Sequence, residues 1–210
     1  MPPSSTKTPN PLKKRMLIIM GAIVLLLIVL LVLSHVLETC TKKKSKDQES
    51  AYSFSFVTPD YEMNVYEDNE YIQYLENGIL NYTDMNSAVT MGYNREDAMK
   101  IGGDGLALLT EYIYAAIEGR HDDVNSCFSE TYYQEHDPLD EFTMQKIVDV
   151  YIKKLPLTDD MSEGTLYYEI SYRILDNNGT FRHDIDTGTR KQKVIISSYD
   201  GQYLIDSMYS

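Results

Sequence analysis

Tryptophan is absent from this sequence, and only two cysteines occur, Cys40 and Cys127. Two thiols 87 positions apart exclude a disulfide-stapled scaffold and any cysteine-rich zinc module. Basic residues become scarce past the first quarter of the chain. Of the 19 Lys+Arg and 32 Asp+Glu in 210 residues, positions 1–50 hold eight and three, net +5, which leaves 11 and 29, net −18, for positions 51–210. So acidic a stretch has nothing with which to neutralise a row of phosphates, which excludes a nucleic-acid binder. The nucleophile pattern G-x-S-x-G and the zinc pattern H-E-x-x-H are missing too, and Gly102-Gly103-Asp104-Gly105 lacks the Lys-Ser/Thr of a phosphate loop. What remains is a short basic N-terminal part and one acidic globular part of about 150 residues, long enough to bury a normal core.

The N-terminal part is dominated by an apolar run. Residues 16–37 are 22 positions without a formal charge, broken only by Gly21, Ser34 and His35. At ~1.5 Å per residue a helix of this length is about 33 Å long and matches a hydrocarbon core of ~30 Å. A secretory signal has an apolar stretch of roughly 7–15 residues and a small-residue cleavage site. This run is longer and no A-x-A follows, so a single transmembrane helix is expected. Leu37-Glu38-Thr39-Cys40 matches a bacterial lipobox only at Leu37 and Cys40; a lone interfacial cysteine is preferred to a lipidated one. Four Lys/Arg precede the span and four follow it. Lys13-Lys14-Arg15 abut it directly, whereas Lys42 stands off behind Glu38, which favours a cytoplasmic N-terminus and a C-terminal domain outside.

Along the chain the reading is as follows. Residues 1–15 form a disordered basic tail, 16–37 the span, and 38–60 a polar tether with a candidate short strand at 51–57, where Tyr52, Phe54 and Phe56 alternate with serines. Residues 61–93 are an acidic, tyrosine-rich segment with one helix around Ile72, Leu75 and Ile79. Asn94 then caps a helix, Gly102, Gly103 and Gly105 kink it, and Leu106, Leu109, Ile113, Ala116 and Ile117 form its apolar face up to a cap at Gly119. A short helix at 122–128 and another at 140–154, with Met144, Ile147, Val148 and Tyr151 inward, are expected next. Strands follow at 166–174, 181–185, 190–199 and 202–208, separated by turns at Asp176-Asn177-Asn178-Gly179, Thr187-Gly188 and Asp200-Gly201. The expectation is α+β: helices packed on a curled antiparallel four-stranded sheet, behind the single N-terminal transmembrane helix.

The ending Val194-Ile195-Ile196-Ser197-Ser198-Tyr199-Asp200-Gly201-Gln202-Tyr203-Leu204-Ile205 resembles the closing hairpin of the nuclear transport factor 2-like (cystatin-like cone) superfamily. The helix ending Glu118-Gly119-Arg120-His121-Asp122-Asp123 is similar to that family's opening helix. The resemblance covers residues 95–208; Tyr203 stands where those proteins often have tryptophan. It implies a membrane-anchored bacterial member, and the superfamily holds secretion and conjugation scaffolds, ligand-binding domains and isomerase-like enzymes alike, so fold constrains function weakly.

Candidate chemistry is thin. On a strand, Asp184 and Asp186 of His183-Asp184-Ile185-Asp186 would share one face about 6–7 Å apart, suited to a divalent cation or an acid/base pair; a solvated strand is the plainer reading. His121 with Asp122 and Asp123 reads as a helix start rather than a metal corner, and Glu135-His136-Asp137-Pro138 as a loop. Cys127 reads as core. The sequons Asn81-Tyr82-Thr83 and Asn178-Gly179-Thr180 matter only in a eukaryotic secretory setting. Tyr66, Tyr71, Tyr74, Tyr82, Tyr93, Tyr132 and Tyr133, set among acids, suit a recognition surface because tyrosine buries area at small entropic cost. An enzyme would need a titratable group facing the pocket, yet Leu166, Tyr168, Ile170, Tyr172 and Ile174 carry none near neutrality; Glu169, Asp184 or His183 inside a deep pocket would change that. The expectation is a single-pass, extracytoplasmic binding or scaffold domain of a cell-envelope assembly, without catalytic, metal or cofactor residues. Its expected partners are membrane lipid through residues 16–37 and a protein with a basic surface. The alternative is a membrane-tethered, isomerase-like ligand pocket.

Overall fold

The computed structural model describes residues 56–92, 94–158, 161–162, 164–185 and 190–210. A single turn of 3-10 helix at Val65–Glu67 leads into helix α1 (Asn69–Glu76), whose N-cap Asp68 accepts bonds from the Glu70 and Tyr71 amides. Gly78, at φ +92°, turns the chain into strand β1 (Leu80–Thr83), which is joined by a tight turn to β2 (Ala88–Met91). Ile79 therefore lies beyond the helix, as the buried residue that enters the sheet.

Helix α2 (Arg95–Ile117) is the spine of the fold. Asn94 caps it by accepting from the Glu96 and Asp97 amides, and the helix breaks at Gly103, whose φ of +73° and ψ of −164° only glycine adopts without strain. Its expected apolar face is fully buried, and it ends in a turn in which the Arg120 amide reaches back to the Ala115 carbonyl while Gly119 takes φ +69°. A short helix α3 (His121–Ser126) follows.

Residues 140–154 are not a helix. Lys146–Lys154 form strand β3, and a bulge between Val148 and Tyr151, centred on Asp149 at φ +53°, shifts its phase. Ile147 and Val150 consequently both point inward, three apart, which imitates helical spacing; Tyr151 is 54% exposed rather than inward. The β-branched residues Ile147, Val148, Val150 and Ile152 favour the extended form. Strands β4 (Leu166–Leu175), β5 (Arg190–Tyr199) and β6 (Gln202–Tyr209) complete the sheet, the last two joined through Asp200 and Gly201, both at positive φ.

The expected fold is thus corrected in two respects. The sheet has six strands in the order β2-β1-β3-β4-β5-β6, and it is mixed, because β1 runs parallel to β3 while all other neighbours are antiparallel. Residues 181–185 are not one of its strands: Asp176-Asn177-Asn178-Gly179 opens a longer connection, and β3 supplies the strand that pairs with β4. As for the expected N-terminal transmembrane helix, no helix among the described residues is long and apolar enough to cross a membrane. Residues 16–37, Cys40, most of the strand expected at 51–57, and Thr187-Gly188 lie outside the described residues.

The core lies between α2 and one face of the sheet. Its largest fully buried side chains include Tyr82, Tyr112, Tyr168 and Tyr172. Tyr71 and Tyr82 are core residues rather than recognition residues; of the tyrosines grouped with them, Tyr66 is exposed, Tyr74, Tyr132 and Tyr133 are half-buried, and Tyr93 is not described.

Candidate functional site

The run His183-Asp184 falls in the β4–β5 connection. Asn177 organises that connection: its side chain donates to the carbonyls of Arg182 at 3.0 Å and Ile185 at 2.6 Å and accepts from the Gly179 amide at 2.9 Å. Phe181 and Ile185 anchor the loop in the core, and between them the Arg182 side chain is largely covered, 15% exposed. Its Nε and Nη2 grip both oxygens of Asp184 at 2.7 and 2.6 Å, and Nη1 donates to Gln192 Oε1 at 3.1 Å and Tyr172 Oη at 3.3 Å. The Tyr172 hydroxyl in turn meets that of Tyr112 at 3.3 Å. Side chains from α2, β4 and β5 thus converge on one guanidinium, the most site-like arrangement in the interior.

The electrostatics of this cluster are those of a lock. Burial opposes the charge on Arg182, but Tyr172 and the Asp184 carboxylate outweigh it and hold the guanidinium protonated. Burial keeps the Tyr112 hydroxyl un-ionised far above neutrality. Asp184 is committed to Arg182, so the group best placed to act as a base is neutralised by its neighbour. His183 points outward and is exposed; Asp186 is not described. The sequence did not single out Arg182, although its place between the apolar anchors Phe181 and Ile185 was a signal.

The remaining candidates are dispersed. His121 Nε2 lies 3.3 Å from Asp122 Oδ1 at the start of α3, and Asp123 pairs with Arg120, which also binds Glu111 and Glu118 at 3.0 and 2.6 Å. His136 stacks on Tyr132 with ring centres 4.2 Å apart, while Glu135 and Asp137 are exposed. Glu169 pairs with Lys191 at 2.9 Å. Cys127 is buried, its thiol pushed up to about 12 by that burial and donating to the Asp123 carbonyl. Among the described residues no group of three or more His, Cys, Asp and Glu side chains could hold a metal ion.

Open space lies at the periphery. A cleft of about 330 Å³ sits at the β1–β2 turn, lined by Met85, Leu155, Pro156, Leu157 and Tyr167 with Asp84 and Lys154. A shallower groove of about 420 Å³ runs between β2 and the first turns of α2, lined by Val89, Thr90, Met91, Asn94, Asp97, Lys100 and Ile101.

The two edges of the sheet differ. Residues 127–129 cover β6: the Ile205 amide donates to the Cys127 carbonyl at 2.8 Å, and the Ser129 amide donates to the Ile205 carbonyl at 3.0 Å. At the other edge, β2 has no neighbour on its outer side among the described residues. Comparison of the chain with protein-family models, with curated proteins and with solved structures finds no match.

Proposed function

We propose that this chain is a membrane-attached, non-catalytic binding or scaffold domain of a cell-envelope assembly, with residues 51–210 outside the cytoplasm. The observation that carries the reading is the filling of the interior. Where a domain of helices on a sheet would hold a small ligand, Phe181 and the Arg182–Asp184 pair occupy the space and bond to Tyr172 and Gln192. The surface, by contrast, offers clefts and an open sheet edge. Attachment is supported by the 22-residue apolar run at 16–37, and the net −18 of residues 51–210 favours a partner with a basic surface.

The test is photo-crosslinking in native membranes, with a crosslinking amino acid placed in turn along Ala88–Met91 and at Met85 of the full chain. A basic protein captured at defined positions, and released as monovalent salt rises, supports the reading. Capture that strengthens with salt, or protection of residues 51–210 from protease added to wall-less cells, overturns it.

A further inference from the structure

We infer that residues 94–102, which open helix α2, are a strap that lifts from the core as a unit on glycine pivots at Gly92 and Gly103. The strap does not depend on the binding-domain reading above.

The two halves of α2 are unlike. Of the fourteen residues at 104–117 eleven are buried, whereas of the eight at 95–102 only Ala98 is. Ile101 adds a half-buried contact with the core. Every side-chain hydrogen bond and ion pair that residues 94–102 make among the described residues stays inside that stretch. Asn94 accepts from the Glu96 and Asp97 amides, and Lys100 pairs with Asp97 at 3.5 Å. A segment with so little burial, and with no side-chain bond to its surroundings, is the kind that opens locally before the rest of a domain unfolds. The pivots at its ends are not there to make room. A side chain at Gly103 would meet no atom within 4 Å, and one at Gly92 would reach only the Leu75 carbonyl, at 4.0 Å. Gly103 instead holds a conformation that breaks the helix, and Gly92 leaves the chain free to bend just past β2.

The glycines flanking the break are of the other kind. A Cβ at Gly102 would lie 3.1 Å from Tyr82 Cζ, and one at Gly105 would lie 2.5 Å from Tyr168 Oη. Two fully buried tyrosines therefore sit against the break. The Tyr82 hydroxyl donates to Asp84 at 3.3 Å, but that of Tyr168 has no partner among the described residues. A hydroxyl buried without a partner has forfeited its bonds to water, and lifting the strap at Gly103 restores them. The closed form thus carries a built-in bias toward opening. The groove of about 420 Å³ has β2 for one wall and Asn94, Asp97, Lys100 and Ile101 of the strap for the other. Lifting the strap dismantles that groove, so an occupied groove and a lifted strap exclude each other.

The test is hydrogen exchange of the full chain in detergent, read by mass spectrometry on peptides covering each half of α2. Residues 95–102 are expected to exchange ~100-fold or more faster than 106–117, at a rate that low urea leaves unchanged. Tyr168→Phe removes the group that opening hydrates, so it is expected to slow exchange at 95–102 by ~5-fold. Gly92→Ala fits its site, which is open and has no positive φ, and stiffens that pivot; a slowing of ~2–5-fold is expected. Gly103→Ala strains the closed form instead and is expected to speed exchange at 95–102. If Gly103→Ala does not fold, the other two variants decide the matter. Equal exchange in the two halves of α2, or a rate at 95–102 that climbs with urea as global unfolding does, would overturn the inference. So would Tyr168→Phe slowing 106–117 while leaving 95–102 unchanged, because the hydroxyl would then be hydrated only when the whole domain unfolds. The photo-crosslinking described above tests the binding-domain reading separately, so either can fail while the other stands.

Discussion

Gly105→Ala sets two effects against each other. In an exposed helix, alanine for glycine gains ~1 kcal/mol. Here a Cβ at Gly105 would lie 2.5 Å from Tyr168 Oη, 2.8 Å from its Cε2 and 2.9 Å from Leu166 Cδ1. Tyr168 is fully buried and its ring cannot swing aside, so the contact is relieved only by moving α2 or β4, and overpacking of this kind costs ~1–3 kcal/mol. The clash wins, and a net loss of up to ~2 kcal/mol is expected, or up to ~8 °C in melting temperature for a domain of this size. The nearest atom, the Tyr168 hydroxyl, is buried without a hydrogen-bond partner among the described residues. Tyr168→Phe removes the nearest obstacle and the unmet polar group, while Cε2 at 2.8 Å and Leu166 Cδ1 at 2.9 Å stay in place, so it is expected to stabilise by ~1 kcal/mol on its own. In that background Gly105→Ala should cost less, because the closest contact is gone, giving a coupling of ~0.5–1 kcal/mol between the two sites. Urea unfolding followed by far-ultraviolet circular dichroism measures all four corners of the cycle. The reasoning is refuted if Gly105→Ala stabilises, if its cost is the same with phenylalanine at position 168, or if Tyr168→Phe destabilises.

Other expected outcomes follow from the same packing. Arg182→Met strips the bidentate partner from Asp184, which is about a third exposed, and should cost ~2–3 kcal/mol, below the range for a fully dry pair; a melting temperature equal to wild type would show the cluster to be dispensable. Deleting residues 201–210 removes fully buried Ile205, the β5–β6 ladder and the strand that residues 127–129 cover. With ~1.5–3 kcal/mol for each large apolar side chain and a typical stability of about 5–15 kcal/mol, cooperative thermal unfolding should vanish. High pH should unfold the domain steeply. Burial pushes Tyr82 and Tyr133 up to about 12 and Tyr71, Tyr112 and Tyr168 higher still. Between pH ~10 and 12 the unfolded chain therefore loses phenolic protons that the folded chain keeps, and stability falls by up to ~1.4 kcal/mol per pH unit for each tyrosine. A titration of absorbance at 295 nm should show several tyrosines ionising together above pH ~11; independent titration near 10 would contradict their burial.

The parts of the fold legible in the sequence are those specified by neighbours along the chain. Asn94, Gly103, the buried face of α2 and the Asp200-Gly201 turn are set by capping, positive φ and periodicity within a few residues. Strand β3 was not legible, because the bulge at Asp149 gives its inward residues a spacing of three. Strands β1 and β2 have four residues each, too few for a pattern, and β1 is specified by parallel pairing of Leu80 with Val150, seventy positions away. The loop holding Arg182 alternates like a strand, but Asn177 ties its carbonyls and withdraws them from any ladder. The shared strand face weighed for Asp184 and Asp186 presupposed that strand; Asp186 itself lies outside the described residues. The open edge at β2 did leave a trace, a ten-residue uncharged stretch, whose meaning depends on a topology that only the folded chain reveals.

Helix α1 is fastened to β3 in a way that matters mechanically. Asp68 pairs with Lys146 at 2.7 Å, the Tyr71 hydroxyl donates to the Ile147 carbonyl at 2.9 Å, and the Asp149 amide donates to the Tyr74 hydroxyl at 2.8 Å. The three anchors lie about one helical turn apart and meet Lys146, Ile147 and Asp149 of an interior strand. Farther toward the N-terminus, the Val57 amide is bonded to the Asn177 carbonyl at 3.1 Å. Tension entering from the N-terminal side of residue 57 therefore meets the Val57 bond, then buried Val65 and the Tyr66 hydroxyl's bond to Glu118 at 2.8 Å, and only then the three contacts that must shear together. Those contacts pass the load into β3, which is flanked by β1 and β4, rather than to an edge strand that could peel away. A domain pulled from its N-terminal side is built to yield first in its leading segment, with the sheet still closed behind it.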